Sequence, residues 1–125
     1  AFVSSTKPTQ QSLTEVIKKQ KFSGNWEPVK EVSKLLGISL DDALAKLPSQ
    51  LSSLPDKEKI WITILVLTWI EENFKSSPTS WEIIHKKGLQ WIEGKGAKYE
   101  DYVKEAKSII IQRQIYLHIL PNSNA

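Results

Sequence analysis

The sequence predicts an all-α fold, a compact bundle of about five to six helices around one central hydrophobic helix at residues 56–75. Three observations predict it. Apolar residues recur at the three- and four-residue spacing of a helix face through most of the chain. Gly and Pro, which end helices, punctuate those runs. One stretch, residues 60–70, is so apolar on every side that only surrounding elements can cover it. At 125 residues the chain has the size of one domain with one core. An apolar share of 40% and a charged share of 25% argue against disorder through most of it.

Residues 1–9 mix small and polar residues with a Pro and no period, and read as a flexible tail. A helical interaction domain is expected at residues 10–113. It opens with Leu13, Val16 and Ile17 on one helix face, with Ser12 placed to cap them, and this first helix fades before the turn at residues 23–25. Trp26, beside Gly24, is expected to pin that turn to the core. Val29, Val32, Leu35 and Leu36 form a second helix that ends at Gly37. Ser39 and Asp42 resemble a reduced capping box for a short third helix carrying Leu40, Ala43, Leu44 and Leu47, closed by Pro48. A connector at residues 50–55 tucks Leu51 and Leu54 inward.

The central helix carries Trp61 and Trp69. A buried strand is the rival for so β-branched a run, but its length and the Pro55-Asp56 start favour helix. A membrane span needs about 20 apolar residues. This run stops at Ile70, with Lys57, Glu58 and Lys59 before it and Glu71 and Glu72 after it. No membrane partner is therefore expected. After Pro78, with Ser80 placed to cap, Trp81, Ile84, Gly88, Trp91 and Ile92 share a narrow stripe with His85 and Leu89 on its margins, and Gly94 ends that helix. Gly88 in mid-stripe is expected where this helix crosses the central one closely. Tyr99, Tyr102, Val103, Ala106, Ile109 and Ile110 then give the cleanest amphipathic stripe of all.

Charge and chemistry exclude more than they assign. Sixteen lysines and one arginine face 14 acids, dispersed along the chain, and pairs such as Glu15 with Lys19, Glu82 with Lys86 and Glu100 with Lys104 have the spacing of helix-surface neighbours. No coherent basic stripe for nucleic acid results. There is no Cys, so no disulfide and no thiolate metal site, which fits a reducing, cytoplasmic setting. With no Met and no signal-like start, the chain is expected to be a piece of a longer protein.

His85 and His118 lack the partners of a metal site. Glu82-x-x-His85 has the spacing of one di-iron ligand pair, yet such sites need two copies and further glutamates. The adjacent acids Asp41-Asp42 and Glu71-Glu72 diverge by about 100° on a helix and do not converge on one bond. Gly94-Lys95-Gly96 lacks the rest of a phosphate loop, and no Ser stands in a nucleophile motif. The expectation is a non-enzyme with no cofactor, metal or small-molecule substrate. The tryptophans Trp26, Trp61, Trp69, Trp81 and Trp91 are expected, with Gly88, to build the core.

The strings SGNWEP, LLGIS, WITILVLTWIEENF, WEIIHKKGLQWIEGK and YVKEAKSII, spread over residues 23–110, resemble the C-terminal domain of proteins that carry a vault inter-alpha-trypsin domain and a von Willebrand factor A domain. The likeness spans roughly residues 10–112. The chain is similar, more distantly, to the C-terminal segment of the vault poly(ADP-ribose) polymerase, the part that attaches that enzyme to the major vault protein. What the resemblance implies is a protein-protein interaction domain that docks a larger protein to an assembly such as the vault shell. The alternative is a structural cap packed on the parent's own von Willebrand A or inter-alpha-trypsin domains. The polymerase's catalytic domain has no counterpart here, so its chemistry is not implied.

Residues 114–125 form a hydrophobic segment and tail outside that likeness. Ile115, Tyr116, Leu117, His118, Ile119 and Leu120 either continue the last helix, burying Ile115 and Ile119, or lie extended against a partner's sheet edge or groove as a docking peptide.

Overall fold

The computed structural model describes residues 8–111, and the expected docking peptide at residues 115–120 lies outside them. The described chain is all-helical, with no strand among its residues. Six α-helices run in order: α1 Gln10–Lys18, α2 Lys30–Leu36, α3 Leu40–Ala45, α4 Lys57–Asn73, α5 Glu82–Gly94, and α6 at residues 103–111. Short 3-10 turns at Ser49–Leu51, Pro78–Ser80 and Tyr99–Asp101 join them.

α4 is the axis of the fold. Every residue from Ile60 to Ile70 is buried, as its all-round apolarity requires, and α3 and α5 pack directly on it. It starts at Asp56, which takes the left-handed conformation (φ 61°) with no side-chain cap. Two threonines in its middle are accommodated by hydrogen bonding. Thr68 donates its hydroxyl back to the Ile64 carbonyl (2.8 Å), while Thr63 Oγ1 accepts the backbone N–H of Trp26 (3.0 Å).

The tryptophans act as struts, three of them fully buried and most indole N–H groups aimed at a carbonyl on another element. Trp26 donates to Val16 of α1 (2.8 Å), Trp61 to Ala43 of α3 (2.8 Å), and Trp81 to Phe74 beyond the end of α4 (2.8 Å). Trp69 meets Phe74 edge-on at 5.5 Å. Trp26, Trp61 and Trp69 are fully buried; Trp81 and Trp91 are half-buried, and Trp91 lies under the Lys95 ammonium at 5.6 Å.

Several helix ends differ from the sequence expectation. Thr9, not Ser12, caps α1, and Ser12 closes a reciprocal capping box from the third helical position. Ser80 lies within a 3-10 turn and Trp81 takes the cap position of α5. Gly94 stays helical, and the left-handed residue is Gly96 at φ 93°. Tyr99 belongs to a 3-10 turn before α6, not to the helix. Each slip has one cause: the apolar stripe fixes a helix's face but not which of several polar residues ends it. Gly37 (φ 76°) and Ser39, whose Oγ accepts from Asp42 N at 3.3 Å, end α2 and start α3 where the sequence places them.

Candidate interaction surface

Among the described residues, three places hold polar or exposed groups open to a functional reading. The first is a cluster at the C-terminal end of α4. His85, on the buried side of α5 at 8% exposure, brings Nε2 to 2.5 Å from Glu71 Oε2 without hydrogen-bond alignment. Its ring leans on Trp81 (5.3 Å) and meets Tyr99 edge-on (5.7 Å). The Tyr99 hydroxyl lies 3.2 Å from Thr68 Oγ1 and also hydrogen-bonds the Glu71 carboxylate. Burial chiefly, then the negative charges of Glu71 and Glu72, push the Tyr99 hydroxyl well above its ordinary pKa, so it stays a neutral donor at physiological pH. Glu72 is held by Lys75 (3.5 Å) and Lys107 of α6 (3.6 Å).

This cluster ties α4, α5 and α6 together. The expected Glu82–His85 spacing does not form a pair, because Glu82 is exposed while His85 turns in toward Glu71. Among the described residues no group of three or more acids and histidines could hold a metal ion.

The second place is an open surface depression of about 510 Å³ between α2 and α3, bordered by Lys30, Ser33, Lys34 and Ser39. Its hydroxyls serve the backbone. Ser33 donates to the Lys30 carbonyl (3.1 Å) and Ser39 caps α3, so neither stands beside a base.

The third place is a face on the outside of α5, and the sequence reading missed it. Phe22 is 96% exposed and Ile83 82% exposed, far more than any other large apolar side chain described. Leaving such a side chain in water forgoes about 1.5–3 kcal/mol of burial each. A signal was present. On a helical wheel Ile83 falls about 140° from Gly88 and 180° from Ile92, off the buried stripe, and Phe22 falls beyond the last stripe residue of α1. Both were overlooked because a single off-stripe apolar residue is ordinary on protein surfaces.

Phe22 is brought to the α5 segment that carries Ile83 because its turn is fastened to that helix. Gln20 Nε2 donates to both the Gly24 carbonyl (2.9 Å) and the Ile84 carbonyl (3.1 Å). Gly24 (φ 113°) lies so close that a methyl group there would be 2.7 Å from the Lys87 carbonyl oxygen. The Lys87 ammonium stands 5.2 Å over the Phe22 ring, and Lys87 is one helical turn on from Ile83. On the inner side of the same helix, a methyl group at Gly88 would lie 3.0 and 3.2 Å from the two terminal carbons of Leu67 on α4. Gly24 thus lets the turn approach the backbone of α5, and Gly88 lets Leu67 of α4 pack directly against that helix.

Ion pairs reinforce the contrast between faces. The i,i+4 partners suggested by sequence do not meet: Glu15 pairs with Lys18 at 3.6 Å, and the remaining pairs either lie three residues apart (Glu72–Lys75) or join separate elements, as do Lys59–Glu27 (3.7 Å) and Lys95–Asp56 (3.0 Å). No helix of the described residues is long and apolar enough to cross a membrane.

These features define an all-helical domain with a tryptophan-braced interior and one outward apolar and cationic face. Its homologues are von Willebrand factor A domain-containing proteins. The chain is 30% identical over 95 residues to the human von Willebrand factor A domain-containing protein 5A, a match covering 75% of this chain. It is 24% identical over 102 residues to the mouse protein of that name (81% of this chain), and 27% identical over 109 residues (84%) to a von Willebrand factor A domain-containing protein of Dictyostelium discoideum. The chain spans only 12%, 12% and 11% of those three proteins, respectively. No protein-family model matches the sequence, and no solved structure matches it.

Proposed function

We propose that the chain is a non-catalytic docking domain through which a larger von Willebrand factor A-type protein is tethered to a protein assembly. The observation that supports this reading is the outward presentation of Phe22 and Ile83 on a fastened scaffold. Interior polar groups are spent on bracing, and the exposed apolar side chains gain stability only when a partner covers them. In this reading the domain uses no cofactor, metal, small-molecule substrate or nucleic acid. The assembly we propose is the major vault protein shell in the cytoplasm, on the strength of the more distant resemblance of the sequence to the attachment segment of the vault polymerase. Residues 115–120 supply a second contact if they lie extended.

A second reading has its own support. In this reading the chain's parent resembles the relatives of which the match spans 12% and 11% in having further domains, and the exposed face of α5 covers one of them. Calorimetric titration of the 125-residue chain with purified major vault protein, and separately with the parent's von Willebrand A and inter-alpha-trypsin domains, distinguishes the two. Heat of binding with the shell protein alone supports tethering; heat with the parental domains alone supports the cap. A folded chain that binds neither overturns both.

A further inference from the structure

Charge and rigidity on the outer face of α5 specify more than a generic contact. Lys21 adjoins Phe22 in the turn, and Lys86 and Lys87 stand one helical turn on from Ile83. Among the described residues none of these three lysines has an acidic partner, whereas Lys18, Lys59, Lys75, Lys95 and Lys107 all do. Of the nearby carboxylates, Glu82 adjoins Ile83 on α5 and is exposed, while Glu27, which accepts from Asn25 of the turn at 2.9 Å, is paired with Lys59. Three lysines without an acidic partner therefore accompany two exposed apolar side chains on the turn and α5, and the exposed Glu82 is not paired with any of them.

The tip is also fixed in place before any partner arrives. The turn is closed by Gly24 N–H to the Lys21 carbonyl (2.8 Å) and Lys21 N–H to the Asn25 carbonyl (2.7 Å). Gln20 and Gly24 fasten it to α5, and buried Trp26 fastens it to α1 and α4. A turn whose backbone is already ordered loses less conformational entropy when the side chain it carries is bound.

We propose that the face formed by Phe22, Ile83, Lys21, Lys86 and Lys87 recognises an acidic segment of a partner protein that carries an apolar side chain. The proposal rests on the docking reading above and names the chemistry of what docks. The partner's apolar side chain packs between Phe22 and Ile83, and its carboxylates pair with the three lysines, Lys87 bridging the two by its place over the ring. An anionic bilayer fits the same charges less well. Membrane-surface binding draws on a broad apolar helix face or a long polybasic cluster, and here two apolar side chains stand beside Glu82.

The test is selection of a phage-displayed random dodecamer peptide library on the 125-residue chain, with counter-selection on the Phe22→Ala/Ile83→Ser variant. Because both side chains are exposed, that variant should melt with the wild type. Selected clones should be rich in Asp and Glu around an apolar residue, should lose roughly tenfold or more in affinity for the variant, and should weaken as salt rises. The Lys86→Glu/Lys87→Glu variant should lose them as well. Selection that yields no acidic class, clones that bind the variants equally, or Phe22-dependent binding to phosphatidylserine vesicles in place of peptides overturns the proposal. If acidic peptides bind but neither the vault protein nor the parental domains do, the docking targets fall while the face stands.

Discussion

Replacing Gly88 by Leu tests the tightest crossing in the fold. The first side-chain carbon would already lie 3.0 and 3.2 Å from Leu67 Cδ2 and Cδ1, against a favourable carbon–carbon separation of about 3.5–4.0 Å. On its other side the Gly24 carbonyl oxygen stands at 3.5 Å. Leu67 is fully buried, so it has no solvent to retreat into, and three further carbons would have to enter the same seam. Overpacking of this kind costs about 1–3 kcal/mol or more. The gain in helix propensity over Gly is about 1 kcal/mol, so for Ala the two terms nearly offset and for Leu overpacking wins. Near two calories per mole per kelvin for each residue, 1 kcal/mol moves the melting temperature by roughly 4 °C. Gly88→Leu should therefore melt several degrees below wild type by differential scanning calorimetry, with Gly88→Ala between the two or at the wild-type value. A Gly88→Leu protein that melts at or above the wild-type temperature would refute close approach of α5 to α4.

Trp61→Ala should cost about 3–5 kcal/mol, because it empties a fully buried site and leaves the Ala43 carbonyl with only the Lys46 N–H; Trp61→Phe, which keeps an aromatic ring but loses the hydrogen bond and part of the indole volume, should cost nearer 1–2 kcal/mol in a denaturant titration. Tyr99 has its folded pKa raised above the ordinary 10.0, so its contribution is present in full below about pH 10 and is lost as pH climbs toward the folded value. The melting temperature of wild type should consequently fall more steeply above pH 10 than that of Tyr99→Phe, and parallel curves would show that the hydroxyl does not titrate as argued. Deleting residues 114–125 separates the two sequence readings of Ile115 to Leu120: a large drop in melting temperature makes the segment core, while lost partner binding with an unchanged melt makes it a docking peptide.

What the sequence disclosed, and what it withheld, follows from the range of the interactions involved. Ile60 to Ile70 announce a surrounded helix because solvent is unfavourable on all of their sides at once, and that judgement needs no knowledge of the neighbours. Gly37 and Ser39 are similarly local, since a left-handed residue and a capping hydroxyl act within three residues of themselves. His85 is the opposite case. Its neighbours on α5 place it at the edge of the apolar stripe, and only the crossing of α4 brings Glu71 to it, so no reading of residues 82–94 alone finds the partner. The outer face lies between these extremes. Ile83 is visibly off its stripe, but its weight comes from Phe22, sixty-one positions away in sequence and brought close by the Gln20 and Gly24 contacts to α5. Apolar residues that fall outside a helix's buried stripe therefore carry functional information only in company, and here that company is assembled where Gly24 lets the turn approach the α5 backbone and Gly88 leaves room for Leu67 of α4 on the inner side of the same helix.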